Sequence, residues 1–318
     1  MEERTYTRRY STRQKTAVKW LWHPYIPIGK VTVIQGDPGT GKTTLALAIA
    51  AFLSTGRPFP GTQNEPLTGE SIYQSAEDDP NDTITPRLLA LGADCEKVSD
   101  ISVPFNDIDK DCEVLENAIR EIGARLAVID PWQAYIGRGN DMNRASDVRR
   151  LMSGLAVLAA KTECAIVAIA HMNKSQGAKN LYRGLGSIDF AASARSVLQV
   201  SLSDEDRDIR IMSHIKSSLS REGAPLMFTI GDDSELDFIG VYGDEDAIYI
   251  NGDEGGEETK REMAKEIMVQ LLTDGPKPGK EVHEACKAAG VGNRTIDTAK
   301  SELRVKSVKK AKEWYWAL

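Results

Sequence analysis

The run Gly36-Asp37-Pro38-Gly39-Thr40-Gly41-Lys42-Thr43 sets three glycines ahead of a lysine and a hydroxyl in the spacing GxxxxGK[ST]. Such a run can bind phosphate, because glycines let successive backbone N–H groups wrap closely around an anion. The apolar Val31-Thr32-Val33-Ile34 precedes it and the helix-forming Leu45-Ala46-Leu47-Ala48-Ile49-Ala50 follows. That strand, loop and helix order aims the helix N-terminus at the phosphates. Gly36, Asp37, Pro38, Gly39, Thr40, Gly41, Lys42, Thr43 and Thr44 form the expected nucleotide cradle. Lys42 reaches the β- and γ-phosphates, and the Thr43 hydroxyl offers a Mg²⁺ position. ATP and Mg²⁺ are the expected cofactors.

An ATPase needs a carboxylate to hold the metal through water, and Leu126-Ala127-Val128-Ile129-Asp130 is an apolar strand ending in one. Asp130 is therefore the second metal residue. Pro131 follows it, so the acid that orients or deprotonates water must come from elsewhere. Ser71-Ile72-Tyr73-Gln74-Ser75-Ala76-Glu77 places Glu77 at a strand's C-terminal end, where parallel-sheet sites form. Glu77 reads as the base, or as a surface carboxylate of the turn Glu77-Asp78-Asp79. Ile166-Val167-Ala168-Ile169-Ala170-His171 ends in a histidine that reads as a γ-phosphate sensor or as a structural residue. Beyond it, Lys174, Lys179 and Arg183 lie in a segment rich in Lys, Gly and Ser, a solvated loop or a surface for nucleic acid or a neighbouring subunit's phosphates.

These residues need a sheet to position them. Apolar runs at Lys30 to Gln35, Ser71 to Ala76, Leu126 to Ile129, Ala165 to Ala170 and Ser196 to Val200 alternate with helical patterns. Such alternation predicts an α/β fold with a mainly parallel sheet and helices on both faces. Ile209 to His214 and Leu226 to Ile230 predict a hairpin at one edge. Four regions follow: an N-terminal arm, 1–29; an ATPase domain, 30–243; an acidic, glycine-rich linker, 244–258; and a small domain, 259–318. In the last, helical patterns at Glu262 to Leu272, Lys280 to Ala289 and Asn293 to Leu303, then a β segment Val305 to Trp316, predict a winged helix-turn-helix.

The 318 residues carry a net charge of −7, unevenly distributed. Residues 261–318 hold 12 Lys+Arg against 8 Asp+Glu, which leaves 28 against 39 for the remainder. The tail is the basic part, with Arg294, Thr295 and Lys300 on its third helix and Lys309, Lys310 and Lys312 on its wing facing duplex phosphates. The other reading of this domain is protein contact or assembly, with Trp314 and Trp316 in its core. Cys95, Cys112, Cys164 and Cys286 form no CxxC pair, which fits reduced thiols and argues against zinc. A polar start and the charges Lys161 and Glu163 inside the richest apolar stretch predict a cytoplasmic protein with no membrane partner.

Taken together, these residues resemble the RecA-like ATPases, in particular the RepA-like group of the AAA_25 type found on plasmids, phages and integrated elements. The likeness runs through Trp20-Leu21-Trp22-His23-Pro24-Tyr25-Ile26-Pro27-Ile28-Gly29-Lys30, Ser75-Ala76-Glu77-Asp78-Asp79-Pro80, Val128-Ile129-Asp130-Pro131, His171-Met172-Asn173-Lys174-Ser175 and Tyr182-Arg183-Gly184-Leu185-Gly186-Ser187. It spans about residues 18 to 230. It implies a RecA-like P-loop fold and ATP bound at subunit interfaces of a ring, usually of six, or a filament. It also implies work on single-stranded DNA by central loops, with Glu77 as catalytic glutamate and His171 as sensor. A lysine and an arginine from the adjacent subunit are implied as well. Lys216, in His214-Ile215-Lys216-Ser217-Ser218, matches the lysine, while Ser218 stands at the usual arginine position, leaving Arg195 or Arg183 to substitute. The function expected is an ATP-hydrolysing helicase of a mobile element. The alternatives are a RecA or RadA-like recombination ATPase and a KaiC-like regulatory, DNA-binding ATPase.

Overall fold

The structure is a computed structural model. It describes the chain apart from residues 1–6, 8, 63–64, 138–139, 141–143, 172–188, 204–205, 243–255, 274, 289–290, 292, 304, 311–312 and 318. The contacts divide into two compact units, Met1–Ile250 and Asn251–Leu318.

In the first unit, β1 (Trp20–Trp22) and β2 (Ile26–Pro27) make a small antiparallel ribbon. Then come β3 (Val31–Gly36), α1 (Lys42–Thr55), β4 (Ser71–Ser75), α2 (Thr85–Ala90), β5 (Val98–Ser99), α3 (Cys112–Ile122), β6 (Leu126–Asp130) and α4 (Ala145–Thr162). β7 (Ala165–His171), α5 (Asp189–Ser193), β8 (Ser196–Leu202), β9 (Ile209–Ser217), β10 (Leu226–Ile230) and β11 (Leu236–Val241) complete it. One nine-stranded sheet runs in the order β11-β10-β9-β8-β3-β7-β6-β4-β5. β8, β3, β7, β6, β4 and β5 are parallel, and β9, β10 and β11 are antiparallel additions at one edge.

The central strands are apolar on both faces, as strands covered on both sides must be. Leu126 and Val128 of β6 enter the core under α1 and α2, whereas Ala127 and Ile129 enter the opposite core with α3 and α4. β7 divides likewise, Val167 and Ile169 to the first and Ile166 and Ala168 to the second. On α4, Val148, Leu151, Met152, Leu155, Leu158 and Ala159 are buried, the three-and-four spacing of one helix face. Trp22, Tyr25, Phe59 and Phe238 close the first core, with the Trp22 indole donating to the Pro60 carbonyl at 2.8 Å.

The second unit contains α6 (Gly256–Leu272), β12 (Lys277–Pro278), α7 (Gly279–Ala288), α8 (Asn293–Glu302), β13 (Lys306–Lys310) and β14 (Glu313–Ala317), with sheet order β12-β14-β13. Met268, Val282, Cys286, Ile296, Val305 and Trp316 lie in its own core.

The structure extends or shifts several predicted elements. α6 starts at Gly256, inside the region predicted as linker. The rest of that linker, 244–255, lies outside the described residues. The edge hairpin gains a third strand, β11, whose Leu236 and Phe238 face inward and whose Asp237 faces out. β12, only two residues long, was not predicted. No described helix is long and apolar enough to cross a membrane.

Candidate active site

Each site residue sits at the C-terminal end of a parallel strand or in the turn after it, so pairing β4, β6, β7 and β3 side by side assembles the site. Gly36 ends β3 flush against β8. A methyl there would lie 2.3 Å from the Val200 carbonyl oxygen, which excludes any side chain. Gly41 stands at the start of α1 with φ +92°, a left-handed conformation that glycine adopts at little cost. Between them, the Asp37 carbonyl accepts from the Thr40 hydroxyl at 2.9 Å and from Lys42 Nζ at 2.8 Å. Lys42 is thus drawn back onto the loop by a bond to a carbonyl oxygen, the kind of acceptor that a phosphate oxygen would replace. Burial lowers the pKa of Lys42, opposed by the negative charges of Asp130, Asp37 and Glu77.

Asp130, 4% exposed, closes the floor. Its Oδ2 accepts from the Thr43 hydroxyl at 2.8 Å and from the Tyr73 hydroxyl at 2.7 Å. Burial raises its pKa, and the Tyr73 and Thr43 hydrogen bonds work against that rise. A hydroxyl and a carboxylate in direct contact form an all-oxygen donor set that fits Mg²⁺, and a cation there would offset the cost of burying the charge. Thr43 and Asp130 would hold it.

Tyr73 is fully buried, 2% exposed, and its own pKa is raised well above 10.0, first by desolvation. Sequence reasoning missed it. The signal lay in register: Tyr73 pairs with Val128, two positions before Asp130 on the adjacent strand.

Glu77 follows β4, whose end is tied to β6 by the Ala76 amide donating to the Asp130 carbonyl at 2.9 Å. Ser75 Oγ accepts from the Glu77 and Asp78 amides, and Asp78 pairs with Arg87 at 3.0 Å, which fixes the turn. The Glu77 carboxylate stays largely open to solvent, and its Oε2 lies 3.6 Å from His171 Nε2. The predicted base and the predicted sensor are therefore neighbours, brought from two non-adjacent strands. Gln133, in the short 3-10 turn after a cis Asp130-Pro131 bond, steadies that histidine. Its side-chain oxygen accepts from the His171 amide at 3.0 Å and its nitrogen donates to the Ile169 carbonyl at 3.3 Å. Gln133 is a second residue the sequence did not announce.

A search of curated proteins found no match. The AAA_25 family, described as an AAA domain, matches residues 2–177, more than half of the chain. The chain belongs to that family. It is a P-loop ATPase of the AAA type, and the predicted phosphate loop, Glu77, Asp130 and His171 fall within the matched region.

The remaining predicted residues of this AAA_25 chain do not converge on the phosphate loop. Lys216 Nζ donates to the carbonyls of Ala191, Ala192 and Ala194 at 2.9, 2.6 and 2.8 Å, closing the end of α5. Its pKa is lowered by desolvation and by the nearby Arg195 charge. Gly36 pairs with Val200 and Lys216 with Val197, so Lys216 lies three residues, about 10 Å, toward the opposite end of the strands. Arg195, exposed just before β8, lies further that way. Neither lies beside the phosphate loop of its own chain. Lys174, Lys179 and Arg183 lie outside the described residues.

In the second unit, Arg294 falls on α8 and Lys309 and Lys310 on β13. Lys300 Nζ bonds Ser307 Oγ at 2.9 Å and sits 4.1 Å over the Trp316 ring, binding α8 to the sheet.

Proposed function

We propose that this AAA-type ATPase is an oligomeric, Mg²⁺- and ATP-dependent motor that acts on single-stranded DNA, a replicative helicase of the RepA-like kind carried by mobile elements. The observation that carries this reading is the separation between the two halves of the charge set. The phosphate loop, Asp130, Glu77 and His171 stand at one end of the sheet, and Lys216 and Arg195 at the other. A subunit that presents Lys216 or Arg195 to its neighbour's nucleotide places there charges that lie away from its own phosphate loop, Lys216 exchanging its carbonyl partners at the end of α5 for phosphate oxygens. A RecA-like sheet with antiparallel edge strands is consistent with such ring or filament packing.

In this mechanism Glu77 accepts a proton from water as the water oxygen bonds to the γ-phosphorus and the bond to the β–γ bridging oxygen breaks. Lys42 and the loop amides hold the charge that shifts onto the leaving ADP, an electrostatic task that dominates phosphoryl transfer. Thr43 and Asp130 would hold Mg²⁺, which when bound would supply charge neutralisation for the phosphates. His171, beside Glu77, donates to the γ-phosphate and passes its loss to the segment that follows β7. That segment carries Lys174, Lys179 and Arg183, assigned in this reading to DNA.

The second unit, with its helix, strand, helix, helix, strand, strand order, is read as a winged helix for duplex DNA. Arg294, Lys309 and Lys310 are its phosphate contacts, while Lys300 has a packing role.

Mixing two inactive variants tests the arrangement. Lys42→Ala removes a subunit's own phosphate grip but keeps Lys216, and Lys216→Ala does the reverse. Mixed assemblies recover part of the turnover because some interfaces hold both lysines. Absence of recovery, with mixed assemblies present, contradicts contribution in trans.

A further inference from the structure

Arg210 is the cation nearest to Gly41 that the site described so far does not use. It stands on β9 opposite Phe228 of β10 and shares a strand face with Met212, which lies in the core under α1. A methyl group on Gly41 would touch Arg210 Cδ and Nε at 3.4 Å, and Ile230 Cδ1 at 2.5 Å. The arginine stem therefore lies against the residue that opens α1 in the phosphate loop. Arg210 Nη1 donates to the Asp208 carbonyl two residues away, at 2.7 Å. Arg210 Nε is buried and has no hydrogen-bond partner. Among the described residues no ion pair engages this side chain.

A buried guanidinium N–H without a partner is costly, and native structures rarely leave one unless a ligand completes it. Holding Nη1 leaves the Nε–Nη2 edge of the fork, the edge that takes two oxygens of one phosphate or carboxylate. That edge stands beside backbone amides already arranged for an anion. We infer that Arg210 is a second phosphate-binding cation of the nucleotide site, contributed by the edge strands in cis and bidentate to the polyphosphate chain. This rests on the reading of residues 36–44 as the nucleotide cradle. β9 thereby carries a phosphate contact near its beginning and Lys216 near its end.

The test compares binding of ATP and of inorganic triphosphate to the full chain and to Arg210→Gln, Arg210→Lys and Lys42→Ala, with thermal melting of each. Arg210→Gln is expected to weaken both ligands at least tenfold while its melting temperature without ligand stays at the wild-type value. Arg210→Lys, which keeps the charge and loses the fork, falls between, and serves in place of the glutamine variant if that fails to fold. Undiminished affinity in both Arg210 variants, with Lys42→Ala impaired, overturns the inference and leaves the cradle standing. Weakened ATP with unchanged triphosphate overturns it in favour of a base or ribose contact. Undiminished affinity in Lys42→Ala as well overturns the cradle itself.

Discussion

At the scale of residues, the proposed mechanism needs one carboxylate to hold metal, Asp130, and another to take a proton, Glu77. Asp130 is kept ready by two hydroxyls, and removing either weakens the metal site without removing a ligand oxygen of the carboxylate. Tyr73→Phe loses a charge-assisted hydrogen bond, worth about 1.5–3 kcal/mol. It is expected to need at least tenfold more Mg²⁺ for half-maximal turnover, read from a magnesium titration. An unchanged requirement contradicts the orienting role. Glu77→Gln is expected to bind ATP normally and to turn it over about 10²-fold or more slowly, the usual scale of a lost general base. Normal hydrolysis in that variant moves the role elsewhere. Asp130 and Glu77 were legible because each ends an apolar run, so strand position could be counted along the chain. Tyr73 and Gln133 were not, because their roles exist only through pairing between β4, β6 and β7.

At the scale of elements, the close approach of β3 and β8 is what lets the loop form. Gly36→Ala places a methyl against a backbone oxygen at 2.3 Å. Overpacking of that kind costs about 1–3 kcal/mol. The expected result is a lower urea midpoint together with weaker nucleotide binding, and a wild-type midpoint contradicts the packing argument.

β8 and β9 are further joined by a buried histidine. His214 Nδ1 accepts from the Gly223 amide at 2.9 Å, and Nε2 lies 3.0 Å from Ser196 Oγ, which itself donates to the Tyr25 carbonyl at 2.6 Å. The imidazole therefore donates through Nε2 and is neutral. Burial lowers its pKa from 6.5 to about 4. The unfolded chain binds the proton first as pH falls, so this contribution is full above pH 6.5 and is lost progressively toward pH 4. Its size is on the order of 3 kcal/mol. Unfolding free energies of wild type and His214→Gln across that range are expected to converge as pH falls, and a constant gap contradicts the assignment.

The parallel strands were readable from short apolar runs bounded by turns. β11 and β12 were not, since one is an edge strand with only part of its residues buried and the other is two residues long.

At the scale of the whole molecule, each of the two compact units has its own hydrophobic core, and the phosphate loop lies in the first. Removing residues 259–318 is expected to weaken duplex-DNA binding while basal ATP turnover persists. Unchanged duplex affinity would assign the second unit to assembly.

The three helices and the closing β wing of that unit were legible from helical spacing and the final aromatic run, whereas β12 between the first two helices was not. The use of Lys300 was not, because its partners Ser307 and Trp316 come from the sheet it helps to hold.

The central claim is that ATP hydrolysis here is completed between subunits and coupled to single-stranded DNA. Its most direct test is ATP turnover with and without single-stranded and duplex DNA, using Lys42→Ala as the blank and recording oligomer mass in the same samples. The account predicts strong stimulation by single strands in a ring-sized assembly. Turnover in a monomer that is indifferent to single strands would contradict it.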